Sequence, residues 1–345
     1  MFQTKLIRTL SFVFCLALMP VSASAGDPWL VFDGDDPATS KKPGAGKHIV
    51  LVSGDHEYRS EEALPQLGKI LSVHHGFKCT VLFAIDEDTG IINPENVENI
   101  PGLEALQDAD LVVFGLRFRN LVDDQMQRVM DYVEAGRPMI AVRTSTHAFD
   151  IPEGRKFASE AWNNDTPGQE GGFGKRVLGE TWVAHHGKHG KESTRGVIAD
   201  ETHPIARGIK TGDIWGPTDV YRVNLPLPGD SHVVFKGSIL TGMNPADPAV
   251  DDKRNDPMMP IGWTKSYNGG RVFVTTMGSA DDLPSEGVRR MLVNASYWCL
   301  GMDDAIRADS DVSIVGEYEP TPFGFGDFIE GRKPEFYDLK VTASP

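Results

Sequence analysis

Apolar residues along this chain fall into short blocks with two different spacings. His48-Ile-Val-Leu-Val-Ser53 is a continuous run bounded by Gly46 and Gly54, and a run apolar on both faces marks a strand buried inside a parallel sheet. The next block changes period: in Ser60 to His75, Leu64, Leu67, Ile70 and Leu71 recur at helical spacing, with Ser60 and Pro65 suited to a helix start. Strand-like runs return at Cys79 to Phe83, Leu111 to Phe114, Pro138 to Val142 and Val272 to Thr276. Between the third and fourth strands, Met126, Val129, Met130 and Val133 draw one apolar stripe along Asp123 to Glu134, which stops at Gly136. The last strand leads into a helix over Leu283 to Leu300, carrying Val288, Met291, Leu292, Ala295 and Trp298 on one side. Strands alternating with helices in this rhythm predict a doubly wound, mostly parallel α/β sheet.

The remaining segments divide by composition. Residues 1–25 place Lys5 and Arg8 before the apolar run Leu10 to Met19, followed by Pro20 and Ala23-Ser24-Ala25. That is the layout of a secretory leader, and the run is short of the roughly 20 residues that cross a bilayer. An exported protein, periplasmic or extracellular, is expected, with no membrane attachment after cleavage. Residues 26–46 form a mostly irregular extension that docks through Trp29, residues 47–302 the α/β domain, and residues 303–345 a Gly- and aromatic-rich tail that wraps the core. Within the domain, residues 150 to 270 are rich in Gly and Pro. Short strand candidates there, Arg195 to Ile198, Asp219 to Val223 and His232 to Phe235, belong at the sheet edge or in an inserted lobe.

Charge and cysteine content narrow the partners. The net charge of −15 becomes more negative once the leader leaves with its Lys5 and Arg8; such a balance repels nucleic acid and anionic lipid. Loss of Cys15 leaves only Cys79 and Cys299, too few for a disulfide scaffold, although one bridge between them stays open.

In an open parallel sheet, ligands bind beyond the carboxyl ends of the strands. Two polar clusters fall there: Gly54-Asp-His-Glu-Tyr-Arg59 after the first strand and Arg143-Thr-Ser-Thr-His-Ala-Phe-Asp150 after the fourth. Ser145 lacks the small residues two places before and after it that a nucleophile elbow needs. Arg143 instead suits an anionic or polyhydroxylated ligand, and His147 a proton transfer; the alternative is an internal ion pair and a helix cap. A third cluster is His185-His186-Gly-Lys-His189. Adjacent histidines in extended backbone project oppositely, so at most one joins His189. A zinc site is conceivable at this spacing, but Lys188, Lys191 and Arg195 disfavour a cation. Trp215 to Tyr221, which includes Asp219, and Pro260 to Lys265, which includes Trp263, mix indole and phenol with charged groups, as a sugar pocket requires; core packing is the alternative for each Trp.

Taken in order, His48-Ile-Val-Leu-Val-Ser-Gly, Arg143-Thr-Ser-Thr-His147, His185-His-Gly-Lys-His-Gly, His203-Pro-Ile and Pro260-Ile-Gly-Trp-Thr with Gly270-Arg-Val-Phe-Val-Thr-Thr-Met-Gly278 resemble the ThuA-like, trehalose-utilisation family, in particular its exported members from planctomycete bacteria. The resemblance runs from about Trp29 to Phe328. It implies a flavodoxin-like fold related to class I glutamine amidotransferases and a link to disaccharide metabolism through sugars oxidised at ring carbon three. Two departures stand out. Arg143 to His147 has neither the cysteine nor the glycines of the amidotransferase elbow, so glutamine hydrolysis is not expected, and no Gly-x-Gly-x-x-Gly follows the first strand to hold a dinucleotide.

The resulting expectation is acid/base chemistry on a small carbohydrate. Arg143, His147 and His186 are the catalytic candidates, and Glu57, Tyr58, Arg59, His189, Asp219 and Trp263 the substrate-binding ones. No cofactor is expected. The alternatives are a non-catalytic carbohydrate-binding protein and a hydrolase holding a divalent metal on His147, His186 and His189. Homo-oligomerisation is left open.

Overall fold

The computed structural model describes residues 27–339; the expected leader at 1–25 and the last residues, 340–345, lie outside the described residues. Ten strands build the main sheet: β1 (Trp29–Phe32), β2 (His48–Gly54), β3 (Lys78–Phe83), β4 (Leu111–Leu116), β5 (Met139–Val142), β6 (Thr194–Ile198), β7 (Trp215–Gly216), β8 (His232–Ile239), β9 (Met259–Tyr267) and β10 (Gly270–Thr275). Their order is β1-β3-β2-β4-β5-β10-β9-β8-β6-β7. The five from β3 to β10 run parallel, with Val50 opposite Val112, Val113 opposite Ile140 and Ala141 opposite Val274. This is the doubly wound α/β arrangement expected from the alternating blocks. Strand order reverses at β2, between β3 and β4, so the crevice lies beyond the carboxyl ends of β2 and β4.

Three helices cover the parallel part: α1 (Ser60–His75), α2 (Asp123–Glu134) and α3 (Glu286–Cys299). α1 buries Leu64, Leu67, Ile70 and Leu71 and ends at Gly76, whose φ of 80° lets its N–H close on the Ser72 carbonyl. α3 starts three residues later than the pattern suggested, because Ala280 to Asp282 form a separate 3-10 turn capped by Ser279.

Three differences from the sequence expectation have physical reasons. The extension at 26–46 is not wholly irregular: β1 pairs antiparallel with β3, burying Leu30 and Phe32 while Val31 faces outward. Phe32 lies so close to Gly68 that a Cβ there would sit 3.1 Å from the ring, which ties the extension to α1. Pro260 to Lys265, expected as part of a sugar pocket, lies within strand β9; Pro260 is accommodated where the pairing with β8 shifts register around Phe235 and Lys236. Asp219 to Val223 contributes only Tyr221 and Arg222, which pair with His185 and Ala184 away from the main sheet. Cys79 and Cys299 are both buried and free. No helix among the described residues is long and apolar enough to cross a membrane.

Candidate functional site

Loops following β2, β4 and β5 meet at the carboxyl edge, and each contains a strained turn. Among the described residues four non-glycines have positive φ, and three of them, Arg59 (55°), Phe118 (50°) and Arg143 (47°), stand just after these strands. Such strain persists only where surrounding contacts enforce it. Asp55 enforces the first loop: one carboxylate oxygen accepts the N–H groups of Glu57 (2.8 Å) and Tyr58 (3.0 Å), and the other accepts the Thr144 hydroxyl from the β5 loop. Phe118 is held by its N–H on the His147 carbonyl, 3.1 Å away. Ser145 donates to the Phe114 carbonyl (2.8 Å) and accepts from the Leu116 N–H (3.1 Å), so its hydroxyl serves β4 and is no free nucleophile.

At the centre lies Asp219, fully buried. The short ladder between Tyr221 and His185 draws the histidine loop against it. His185 donates from Nδ1 to Asp219 Oδ2 at 2.9 Å, and His189 from Nδ1 to Oδ1 at 3.1 Å. The Arg143 guanidinium reaches Oδ1 at 3.3 Å, donates to the carbonyls of Asp219 (3.0 Å) and Thr276 (2.6 Å), and lies 4.2 Å from the Tyr58 ring centroid. Burial alone would raise the Asp219 carboxyl, yet the donors from His185, His189 and Arg143 hold it well below the carboxylate range. The same hydrogen bond from Asp219 raises the His185 imidazole above its ordinary value.

A second ion pair completes the rim. Glu57 is buried, and its Oε2 lies 3.1 Å from Arg117 Nη2 while Oε1 lies 3.4 Å from His189 Nε2. Burial raises the Glu57 carboxyl despite the Arg117 charge. His147 is driven the other way: burial first, then the positive charges of Arg117 and Arg143, lower it well below 6.5. It is therefore a neutral ring at physiological pH, packed between Phe118 and Trp182 with centroids 5.0 and 5.5 Å away.

These groups line a cavity of about 120 Å³, walled by Tyr58, Phe118, Trp182, Tyr221 and Phe325. That is well below the roughly 300–1,000 Å³ of drug-sized sites. Of the residues expected from sequence, Glu57, Tyr58, Arg143, His147 and His189 line it, and Asp219 lies beneath, clamping two of the others.

Three candidates are placed elsewhere. His186 points away and hydrogen-bonds the Arg254 carbonyl at 2.7 Å; strand alternation, set by the pairing of His185 with Tyr221, gives the inward position to its neighbour. Arg59 is buried with one hydrogen bond to the Glu57 carbonyl, its backbone opening α1. Trp263 is a core residue of β9 whose indole donates to the Leu178 carbonyl at 2.8 Å.

The metal alternative shifts with them. Ligand atoms of His185, His189 and Asp219, not of His147 and His186, lie within 4.8 Å of one another. Sequence reasoning missed His185, Arg117, Phe118, Trp182 and Phe325. Arg117 and Phe118 were within reach, since they directly follow β4 at the same edge; the others are placed by contacts with distant segments.

A parallel core with its strand-order reversal at β2, and a polar pocket at the carboxyl edge, defines a flavodoxin-like α/β protein. The chain belongs to the ThuA family, described as trehalose utilisation, whose family model matches residues 49–299. No curated protein matches its sequence. Among solved structures it is similar to a putative ThuA-like protein from Parabacteroides merdae ATCC 43184, at 15% identity and a TM-score of 0.47, covering 74% of this chain and 90% of that one. It is also similar to a putative ThuA-like protein from Bacteroides uniformis ATCC 8492, at 15% identity and a TM-score of 0.45, covering 79% of this chain and 99% of that one.

Proposed function

We propose that this protein is a sugar-modifying enzyme that moves a proton on a carbon adjacent to the carbonyl of a small keto-sugar. The observation that carries this reading is the sharing of one buried carboxylate, Asp219, by the Nδ1 atoms of His185 and His189. An imidazole backed in this way keeps a fixed tautomer and ring orientation, and is a stronger base at its other nitrogen. His185, whose imidazole the hydrogen bond to Asp219 raises, suits holding the extra proton.

In the proposed reaction one ring takes the proton from the carbon, and the other gives its proton to the carbonyl oxygen, leaving an enediol. Reversal at the neighbouring carbon regenerates both rings and the isomerised sugar. No net proton, electron or cofactor is needed. The fixed charge of Arg143 below Asp219 holds the carboxylate ionised throughout. Neutral His147 and the aromatic walls provide hydrogen bonding and an apolar surface for a ring. The small cavity suits a monosaccharide or one ring of a disaccharide, and the family's description supports carbohydrate metabolism. We keep export as part of the proposal, on the leader-like residues 1–25.

A second reading has one specific observation behind it, the clustering of His185, His189 and Asp219 as ligand atoms for a divalent metal. Arg143 on Asp219 Oδ1 opposes it. Metal analysis of purified protein separates the two: stoichiometric zinc, iron or manganese supports the metal, and less than stoichiometric content removes it.

The main test is incubation with 3-keto-trehalose and other 3-keto-glucosides in deuterated water, followed by NMR. Solvent deuterium at a carbon next to the carbonyl is expected. Binding without exchange or product would leave a carbohydrate-binding protein in place of an enzyme.

A further inference from the structure

The chain beyond α3 lies past the matched residues 49–299, yet a stretch of it is part of the site. From Tyr318 to Gly326 it crosses the carboxyl edge and is pinned at several points. The Tyr318 hydroxyl donates to the Ala280 carbonyl at 2.8 Å. Thr321 gives its N–H (2.7 Å) and hydroxyl (2.8 Å) to the Glu62 carboxylate, and the Gly324 N–H donates to the Glu57 carbonyl at 2.9 Å. Those anchors lie on the loop after β2, on the first turn of α1 and on the loop after β10. The segment is thus held in place by backbone and carboxylate contacts, not only by apolar burial.

It delivers two aromatic rings. Phe323 packs against Tyr58 and His189, with centroids 5.4 and 5.0 Å away. Phe325 differs: it lines the cavity while remaining 58% exposed, the highest exposure among the large apolar side chains of the described residues. One contact of its ring is with the Arg117 guanidinium, 4.8 Å from the centroid; Arg117 itself lies 4.4 Å from the Phe118 ring. Arg117 is held by Glu57 and by His56 Nε2 (2.7 Å), so it forms a fixed plate under Phe325. Gly326, with φ of 70°, turns the chain directly after the ring.

We infer that Phe325 is the stacking platform of the substrate site, taking the C–H face of a pyranose ring whose hydroxyl edge turns toward Glu57 and His189. The inference rests on the carbohydrate reading above and adds a specificity element from outside the matched region. An exposed apolar ring at a pocket mouth loses water contact when a sugar's C–H face covers it. An open-chain polyol offers no such face, so the platform selects cyclic sugars.

Calorimetric titration of the full chain with trehalose, 3-keto-trehalose and sorbitol tests this. Wild type should bind at least one cyclic sugar and not sorbitol. Phe325→Ala should weaken that binding about tenfold, and Phe325→Trp should keep it, with unchanged circular dichroism in both. Equal affinity in wild type and Phe325→Ala, or sorbitol bound as well as the sugars, overturns the platform and leaves the carbohydrate reading standing. No binding of either sugar by wild type overturns that reading, and the platform with it.

Discussion

His185 and Asp219 are joined by a 2.9 Å hydrogen bond across 34 residues of sequence, while His186, one residue on, is turned to the Arg254 carbonyl. The two neighbours should therefore respond oppositely to substitution. His185→Ala is expected to lower turnover of a keto-sugar by about 10²–10⁴-fold, the usual range for losing a positioned acid/base group, with His189→Ala similar. His186→Ala should keep turnover within a few-fold. Steady-state rates on one substrate for the three variants make the comparison, and full activity in His185→Ala would remove it from the chemistry.

Removing Arg143 leaves Asp219 buried with less compensation. Arg143→Met should cost on the order of 3–5 kcal/mol of stability, as for other broken buried pairs. Arg143→Lys should recover little, because the guanidinium is spread over two carbonyls and a carboxylate oxygen and an ammonium cannot reproduce that fork. Urea unfolding midpoints at neutral pH measure both.

Three buried rings should each weaken the fold in mild acid, while the raised carboxyls of Glu61 (about 8) and Asp282 (about 7) act in the opposite sense. His147 is held well below 6.5, and His56 and His75 are lowered to about 4, by burial foremost in each case. These rings stay neutral in the folded protein while the unfolded chain protonates them below its ordinary pKa. The unfolded state then binds more protons at these positions, so the contribution of these rings to stability falls as pH drops below about 6.5, by up to about 1.4 kcal/mol per pH unit for each ring. The loss from each ring stops growing once pH passes its folded value. Asp219 works lower down: its depressed pKa stabilises the fold above the unfolded carboxylate value near 3.8, and this is lost only as pH falls toward its folded value. Unfolding midpoints of wild type and His147→Gln at pH 7 and pH 5 make the comparison: the substituted protein should fare better at pH 5, relative to pH 7, than wild type does, and an identical pH dependence in the two would contradict the neutral buried ring.

Phe32→Ala should cost about 3–5 kcal/mol, as for other buried phenylalanines, because the ring fills the space over Gly68. A change within experimental error in the unfolding midpoint would mean that β1 contributes nothing to the fold.

Much of the architecture was legible because it rests on local spacing. β2 is apolar on both faces, and α2 repeats Met126, Val129, Met130 and Val133 at helical intervals. β1 was hidden by its brevity, with only Leu30 and Phe32 turned inward, and β9 by Pro260 and Gly262, which a register shift tolerates. In the site, the edge-of-sheet rule found Glu57, Tyr58, Arg143 and His147, and applied to β4 it would also have found Arg117 and Phe118. The choice between His185 and His186 could not be made locally, since its phase is set by pairing with Tyr221. Nor could Trp263 be assigned, because an indole satisfied by a backbone carbonyl looks the same in sequence as one that faces a ligand.

Arg143 occupies the first position after β5 in a left-handed turn. It sets there a permanent charge, and the hydrogen bonds from its two terminal nitrogens go to the protein itself. The two thiols among the described residues, on Cys79 and Cys299, lie buried within β3 and α3. Thiol-directed reagents should thus find no exposed target among the described residues, and on the proposed reading the reactivity of this pocket is borrowed from protons.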